Sequence, residues 1–172
     1  SKQMIFISQT GLTDMIREKE WDAWYVEHLR IMLTVPGISS AQRFKTDSPG
    51  YSPSLAMYTI SSAEVFQDPY YQSVRGMGDW LPLIQQQHYR RNLFEGLDAA
   101  PDVAEDCVLV VADRDRPADV PGVKLAWLRA VGLDCSTPYR GIAVVARAGA
   151  ETLAASGRFG IYRPATRREP WR

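Results

Sequence analysis

Apolar positions along this chain follow two rhythms, one of strands and one of helices. Met4 to Ser8 is short, apolar and β-branched, which predicts a buried strand that Gly11 ends. Thr13 is placed to cap a helix, with Asp14 and Glu18 at its positive end. That helix is predicted to run to about Leu33, where Pro36-Gly37 stops it. Two strands follow, Ile38 to Lys45 and Leu55 to Ile60, separated by a loop rich in turn residues. Ser61 and Glu64 have capping-box spacing and predict a second helix. Pro69, Gly76 and Gly78 predict an irregular stretch, with a further helical piece over Trp80 to Gln87. Tyr89 to Glu95 reads as a strand. The order β-α-β-β-α-β is that of a ferredoxin-like plait.

The rest of the chain repeats this order with the first helix missing. Strands are predicted over Cys107 to Ala112, Lys124 to Val131, Gly141 to Arg147 and Phe159 to Arg163, with a short helix over Ala150 to Ser156. Gln42-Arg43-Phe44 matches Leu128-Arg129-Ala130, and Ser61 to Phe66 matches Ala148 to Leu153 in the same order, as expected of a duplication. The predicted organisation is an N-terminal ferredoxin-like half over 1–97, a linker over 98–106 and a shortened C-terminal half over 107–172. A plait leaves one sheet face bare, so two can cover each other and close a barrel. The fold class is α+β, with antiparallel sheets.

The first helix carries the most informative residues. At 100° per residue, Trp21, Tyr25, His28 and Met32 fall within roughly 60° of one another. Trp24, Leu29 and Ile31 flank them, while Asp22, Glu27 and Arg30 lie mainly on the opposite side. A histidine thus sits in the middle of an aromatic face. Two readings are open: a core histidine bonded to backbone, or a general acid/base at the end of an aromatic pocket, a role suited to a group with an ordinary pKa near 6.5. Trp21, Trp24, Tyr25 and Tyr58 are candidate pocket walls, and Arg43 is the candidate for holding an acid group. Arg129 is its counterpart in the second half. Tyr70, Tyr71 and Trp80 could form a lid hinged at Gly76 and Gly78. His88, beside two arginines, reads as a surface residue.

Composition narrows the field. The 172 residues carry 20 basic and 20 acidic side chains, so no general attraction to nucleic acid is expected. The basic cluster Arg163, Arg167, Arg168 and Arg172 reads as a solvated tail. Two cysteines, Cys107 and Cys135, make neither a disulfide framework nor a zinc pattern. No segment reaches the roughly 20 apolar residues of a membrane span. The expectation is a soluble cytoplasmic protein with no membrane partner. Phosphate-binding loops, dinucleotide fingerprints and hydrolase motifs are missing, and no haem-pocket signature accompanies either histidine. The sequence therefore predicts no cofactor and no metal.

Four segments, Trp21-x-x-Trp24-Tyr25-x-x-His28-Leu29, Val35-Pro36-Gly37-Ile38, Ala41-x-Arg43-Phe44 and Leu55-Ala56-Met57-Tyr58, carry a likeness over residues 3–96. In them the chain resembles the dimeric α/β-barrel superfamily, with a flavour closest to EthD-like and related uncharacterised proteins. The resemblance implies a pocket between the sheet and the first helix in which His28 handles protons on a small organic molecule, acidic or aromatic. It also implies a homodimer or, with two halves in tandem, an internal barrel. An isomerase, lyase or cyclase is the leading expectation. A cofactor-free monooxygenase and a non-catalytic binding or accessory protein are the alternatives.

Overall fold

The computed structural model describes residues 2–170. The first half contains β1 (Met4–Thr10), α1 (Glu18–Met32), β2 (Ile38–Lys45), β3 (Ser54–Ile60), α2 (Pro69–Val74) and β4 (Arg90–Glu95). The second contains β5 (Cys107–Arg114), β6 (Ala126–Leu133), β7 (Tyr139–Ala146), α3 (Ala150–Ala155) and β8 (Gly160–Pro164). Neighbouring strands run β4-β1-β3-β2 in one half and β8-β5-β7-β6 in the other, the same spatial order twice. Pairing of β2 with β8 and of β6 with β4 closes all eight strands into one antiparallel barrel. A single chain therefore supplies both sheets of a dimeric α/β-barrel fold.

Side-chain alternation along the strands builds three separate cores, one inside the barrel and one outside it in each half. Ile5 and Ile7 of β1 point into the barrel with Leu55, Met57, Phe94, Leu109 and Leu128. Phe6 points outward and packs with Tyr25, Leu29, Tyr58 and Leu93 under the helices. Phe6 and Tyr58 are partners in the β1–β3 register, and their rings stack 5.3 Å apart at 18°. Such a pair adds about 1 kcal/mol beyond its buried area. In the second half Val108, Val110 and Ala112 face α3 through Leu153 and Phe159. Residues 115–125 form no helix, so nothing equivalent to α1 covers β6, whose residues are mostly only half-buried.

Direct pairing of β2 with β8 is short, only Phe44 with Pro164 and Lys45 with Arg163. Flanking segments complete the seam. Ala165 donates to the Arg43 carbonyl at 2.8 Å, and Ala41 and Glu169 exchange backbone bonds at 2.8 and 2.7 Å. The Gln42 side chain donates to the Val103 carbonyl at 2.9 Å and accepts from its N–H at 3.2 Å. Segment 98–106 is thereby held against the barrel, with Ala100 and Val103 buried.

Local chemistry shifts three expected boundaries. Thr13 does not cap the first helix: its N–H and hydroxyl both donate to the Leu83 carbonyl, and Asp14 caps a short 3-10 turn over Met15–Arg17 instead. Ser62 rather than Ser61 caps the turn over Ala63–Gln67. Pro69 begins α2 rather than breaking structure, because a proline at the first helical position loses no hydrogen bond and Asp68 supplies the cap. Of the arginine cluster, Arg163 reaches Asp47 at 3.4 Å and Arg168 donates to the Ala100 carbonyl at 3.0 Å. Arg172 lies outside the described residues. No helix among the described residues is long and apolar enough to cross a membrane.

Candidate functional site

Helix α1 lies across the outer face of the first sheet and buries Trp21, Tyr25, His28, Leu29 and Met32. Gly37 sets its exit. The backbone there has φ +93°, and an added Cβ would come within 2.6 Å of the Ser61 hydroxyl and 2.7 Å of Val65. Only glycine allows so close a turn into β2. Opposite the His28 face stand Phe6 and Ser8 of β1, Tyr58 of β3 and Arg91 of β4. The α2 segment folds over them with Tyr71, Arg75 and Met77. These residues and Tyr89 enclose a cavity of about 20 Å³, room for about one water molecule.

His28 is 8% exposed. Its ring stacks on Trp24 at 4.6 Å and 11° and meets the Tyr25 ring edge-on at 5.8 Å. Neither imidazole nitrogen makes a hydrogen bond among the described residues. Burial, reinforced by the charge of Arg75, lowers its pKa from 6.5 to about 4. The imidazole is therefore neutral at pH 7, with one N–H donor and one acceptor and no protein partner for either. Burial also pushes the Tyr25 hydroxyl up to about 12, against the pull of Arg43, and holds Tyr58 well above its ordinary value. Both phenols stay protonated and act as neutral donors.

Two guanidinium groups border the cavity. Arg91 donates to the Tyr71 hydroxyl at 2.6 Å and lies 5.3 Å from the Phe6 ring. Arg75 is exposed, its nearest hydrogen-bond partner being the Tyr89 hydroxyl at 3.5 Å. The lining contains no carboxylate among the described residues.

Of the residues singled out from sequence, His28, Tyr25, Tyr58, Tyr71 and Gly76 line the cavity, whereas Tyr70, Trp80 and Gly78 do not. Trp24 stands behind His28 as its stacking surface. Trp21 and Arg43 lie one layer away and do not line the cavity. Arg43, 1% exposed, donates to Asp22 at 2.6 Å and to Ser54 at 3.0 Å, with its guanidinium 4.6 Å from the Trp21 ring and 4.3 Å from the Tyr25 ring. A carboxylate from the same helix, which also binds Lys45 at 2.5 Å, has taken this arginine. Arg129 is exposed and pairs with Glu95. His88 ends a short 3-10 turn away from the cavity, its carbonyl accepting from Ser52 at 2.9 Å.

Sequence reasoning missed Arg75, Arg91 and Tyr89 as cavity residues. Arg91 had a signal: strand alternation puts it on the face of Leu93, which packs toward α1. Arg75 and Tyr89 had none, since only the path of the α2 segment brings them to the cavity.

No protein-family model and no curated protein matches the chain. Solved structures do. An anthrone oxidase-like protein superposes with a TM-score of 0.58 at 11% identity, covering 98% of this chain and 93% of its own. A candidate monooxygenase from Lactobacillus acidophilus gives 0.56 at 6%, covering 96% and 95%. A candidate chlorite dismutase gives 0.55 at 7%, covering 95% of each chain. The likeness runs the whole length of the chain, and at these identities it shows the shared barrel fold alone.

Proposed function

We propose that the chain is a small-molecule enzyme that works without a cofactor, with His28 as general acid and base in an isomerase, lyase or cyclase reaction. One observation carries this reading: a nearly buried, neutral imidazole faces a cavity with both nitrogens unpartnered. A core histidine normally bonds to backbone or a carboxylate, whereas here no protein group among the described residues bonds to either nitrogen and neither is sealed from solvent. In this reading substrate takes the missing partner's place. His28 removes a proton from an activated carbon or hydroxyl and returns it elsewhere. Tyr25 and Tyr58 donate hydrogen bonds to the oxygen on which negative charge develops. Trp24 fixes the imidazole plane, and Trp21 and Arg43 hold Tyr25 from behind. The finer likeness to EthD-like proteins and the division at 1–97, 98–106 and 107–172 belong to the same reading.

The test is turnover of a panel of lactones, aromatic ketones and phenols by the wild type and by His28→Ala. Loss of about 10²-fold or more in rate, with a retained cooperative melt, supports the reading. Equal turnover by the variant contradicts it. Stoichiometric binding without turnover by either would leave a non-catalytic binding protein.

The names of two structural neighbours, a monooxygenase and an anthrone oxidase-like protein, favour a second reading. Here the carbanion left by proton removal forms a C–O bond to O2 instead of being reprotonated, and the resulting hydroperoxide loses water to leave a carbonyl, so that CH2 and O2 become C=O and H2O. Oxygen uptake coupled one-to-one to substrate loss separates this reaction from isomerisation.

A further inference from the structure

The barrel pairs its deepest guanidinium groups with carboxylates. Arg43 has Asp22 at 2.6 Å, and Arg140 has Asp113 at 2.7 and 3.0 Å, each arginine being 1% exposed. Around the His28 cavity this rule is broken. Arg75 and Arg91 border it, neither is in an ion pair among the described residues, and no lining residue is acidic. The phenols cannot supply the missing charge, because burial keeps Tyr25 and Tyr58 protonated. Two positive charges thus face an aromatic space, Arg91 half-buried and Arg75 exposed, and an opposite charge there interacts more strongly with the less solvated Arg91 than it would in bulk water.

Shape narrows the ligand further. Phe6 and Tyr58 stack nearly parallel and make the sheet side of the cavity aromatic. On the other side the Arg75–Gly76–Met77–Gly78 segment closes the space, with φ of +93° at Gly76 and +55° at Gly78. An added Cβ at Gly76 would meet nothing within 4 Å, so glycine serves the backbone there rather than the packing. At about 20 Å³ the cavity holds about one water, so a ligand larger than that needs the Arg75–Gly78 segment on its outer side to give way.

We propose that the ligand of this cavity is a planar organic anion, an aromatic carboxylate or enolate, whose charged oxygens are bound by Arg91 and Arg75. This rests on the cavity being the substrate site. It adds that charge, and not only aromatic shape, selects the substrate. It also joins binding to proton transfer: the anion offsets the charge of Arg75 and makes His28 a stronger base once substrate is in place.

The test compares benzoate with benzamide, which has the same shape and no charge. Affinity is measured by calorimetry on the full chain, as wild type, Arg75→Gln, Arg91→Gln and His28→Gln. Wild type is expected to bind benzoate at least tenfold tighter than benzamide. Each arginine variant should lose most of that preference, and His28→Gln should keep it. Saturating benzoate should also raise the His28 pKa, followed by NMR. Equal affinity for the two ligands, failure of wild type to bind benzoate, or a preference that survives both arginine substitutions would overturn the proposal. The wild-type comparison stands even if an arginine variant folds poorly. Failure of the catalytic reading has a different signature: the benzoate preference persists while no compound is turned over. If anion binding alone is wrong, neutral substrates are still turned over through His28.

Discussion

His28 lies flat on Trp24, their ring centroids 4.6 Å apart and their planes within 11°, while no group among the described residues bonds to either imidazole nitrogen. Stacking fixes the plane of the ring but leaves its polar edge without a protein partner among the described residues. The same burial that creates this arrangement makes the imidazole hard to protonate.

Stability should therefore depend on pH through His28. Its folded pKa, about 4, lies below the ordinary 6.5. Between those values the unfolded chain binds a proton that the folded chain does not, so stability rises with pH. The contribution is complete above about pH 6.5 and is lost on acidification toward 4, in total roughly 3 kcal/mol. Urea unfolding at pH 7 and 4.5 should show His28→Gln losing about 2–3 kcal/mol less than wild type between the two pH values. Parallel losses in the two proteins would contradict the burial argument.

Trp24→Leu should remove the stacking surface and admit water to the imidazole. The His28 pKa should then move upward from about 4 toward 6.5, and stability should fall by about 1–2 kcal/mol. An NMR titration of the histidine ring protons reads the first effect, and thermal unfolding the second. An unchanged pKa would mean that Trp24 does not shield the ring.

Asp22→Ala leaves the Arg43 guanidinium, 1% exposed, without its carboxylate. Breaking a buried pair from one side costs about 3–5 kcal/mol, and because the Asp22 side chain is 36% exposed, water should reduce this to about 2–3 kcal/mol. Lys45 loses a partner as well but keeps Glu18 at 3.2 Å. Denaturant midpoints measure the loss. A change under 1 kcal/mol would show that Arg43 finds another acceptor, its Nη2 being unpaired and buried in the native protein.

Gly37→Ala should destabilise the protein by about 2 kcal/mol or more, since left-handed backbone and a 2.6 Å contact with Ser61 both oppose a methyl group. Adding Ser61→Ala should recover part of the loss by removing the hydroxyl contact while leaving the backbone strain and the 2.7 Å contact with Val65. Full recovery would assign the whole effect to the Ser61 hydroxyl, and no recovery would assign it to the backbone and Val65.

Much of the fold was legible because strand and helix periods are local properties. All eight strands, the missing helix in the second half and the buried stripe of α1 follow from apolar spacing and turn residues. The cavity was only partly legible. His28, Tyr25 and Tyr58 could be read from one helix and one strand, each with its own alternation. Arg75 and Tyr89 reach the same space from an irregular segment whose path no period encodes. Arg43 shows the converse. Its strand face was readable, but the helical wheel put Asp22 mainly on the opposite side, and the side chain reaches around to claim the arginine.

Hydrogen exchange at the substrate carbon tests His28 proton transfer most directly. Compounds that bind the cavity would be incubated in D2O with wild type and with His28→Ala, and deuterium incorporation followed by NMR. The account predicts incorporation at one activated position by wild type, with the variant at the uncatalysed background while still binding the compound. Exchange at the wild-type rate by His28→Ala would contradict it and remove His28 from the chemistry.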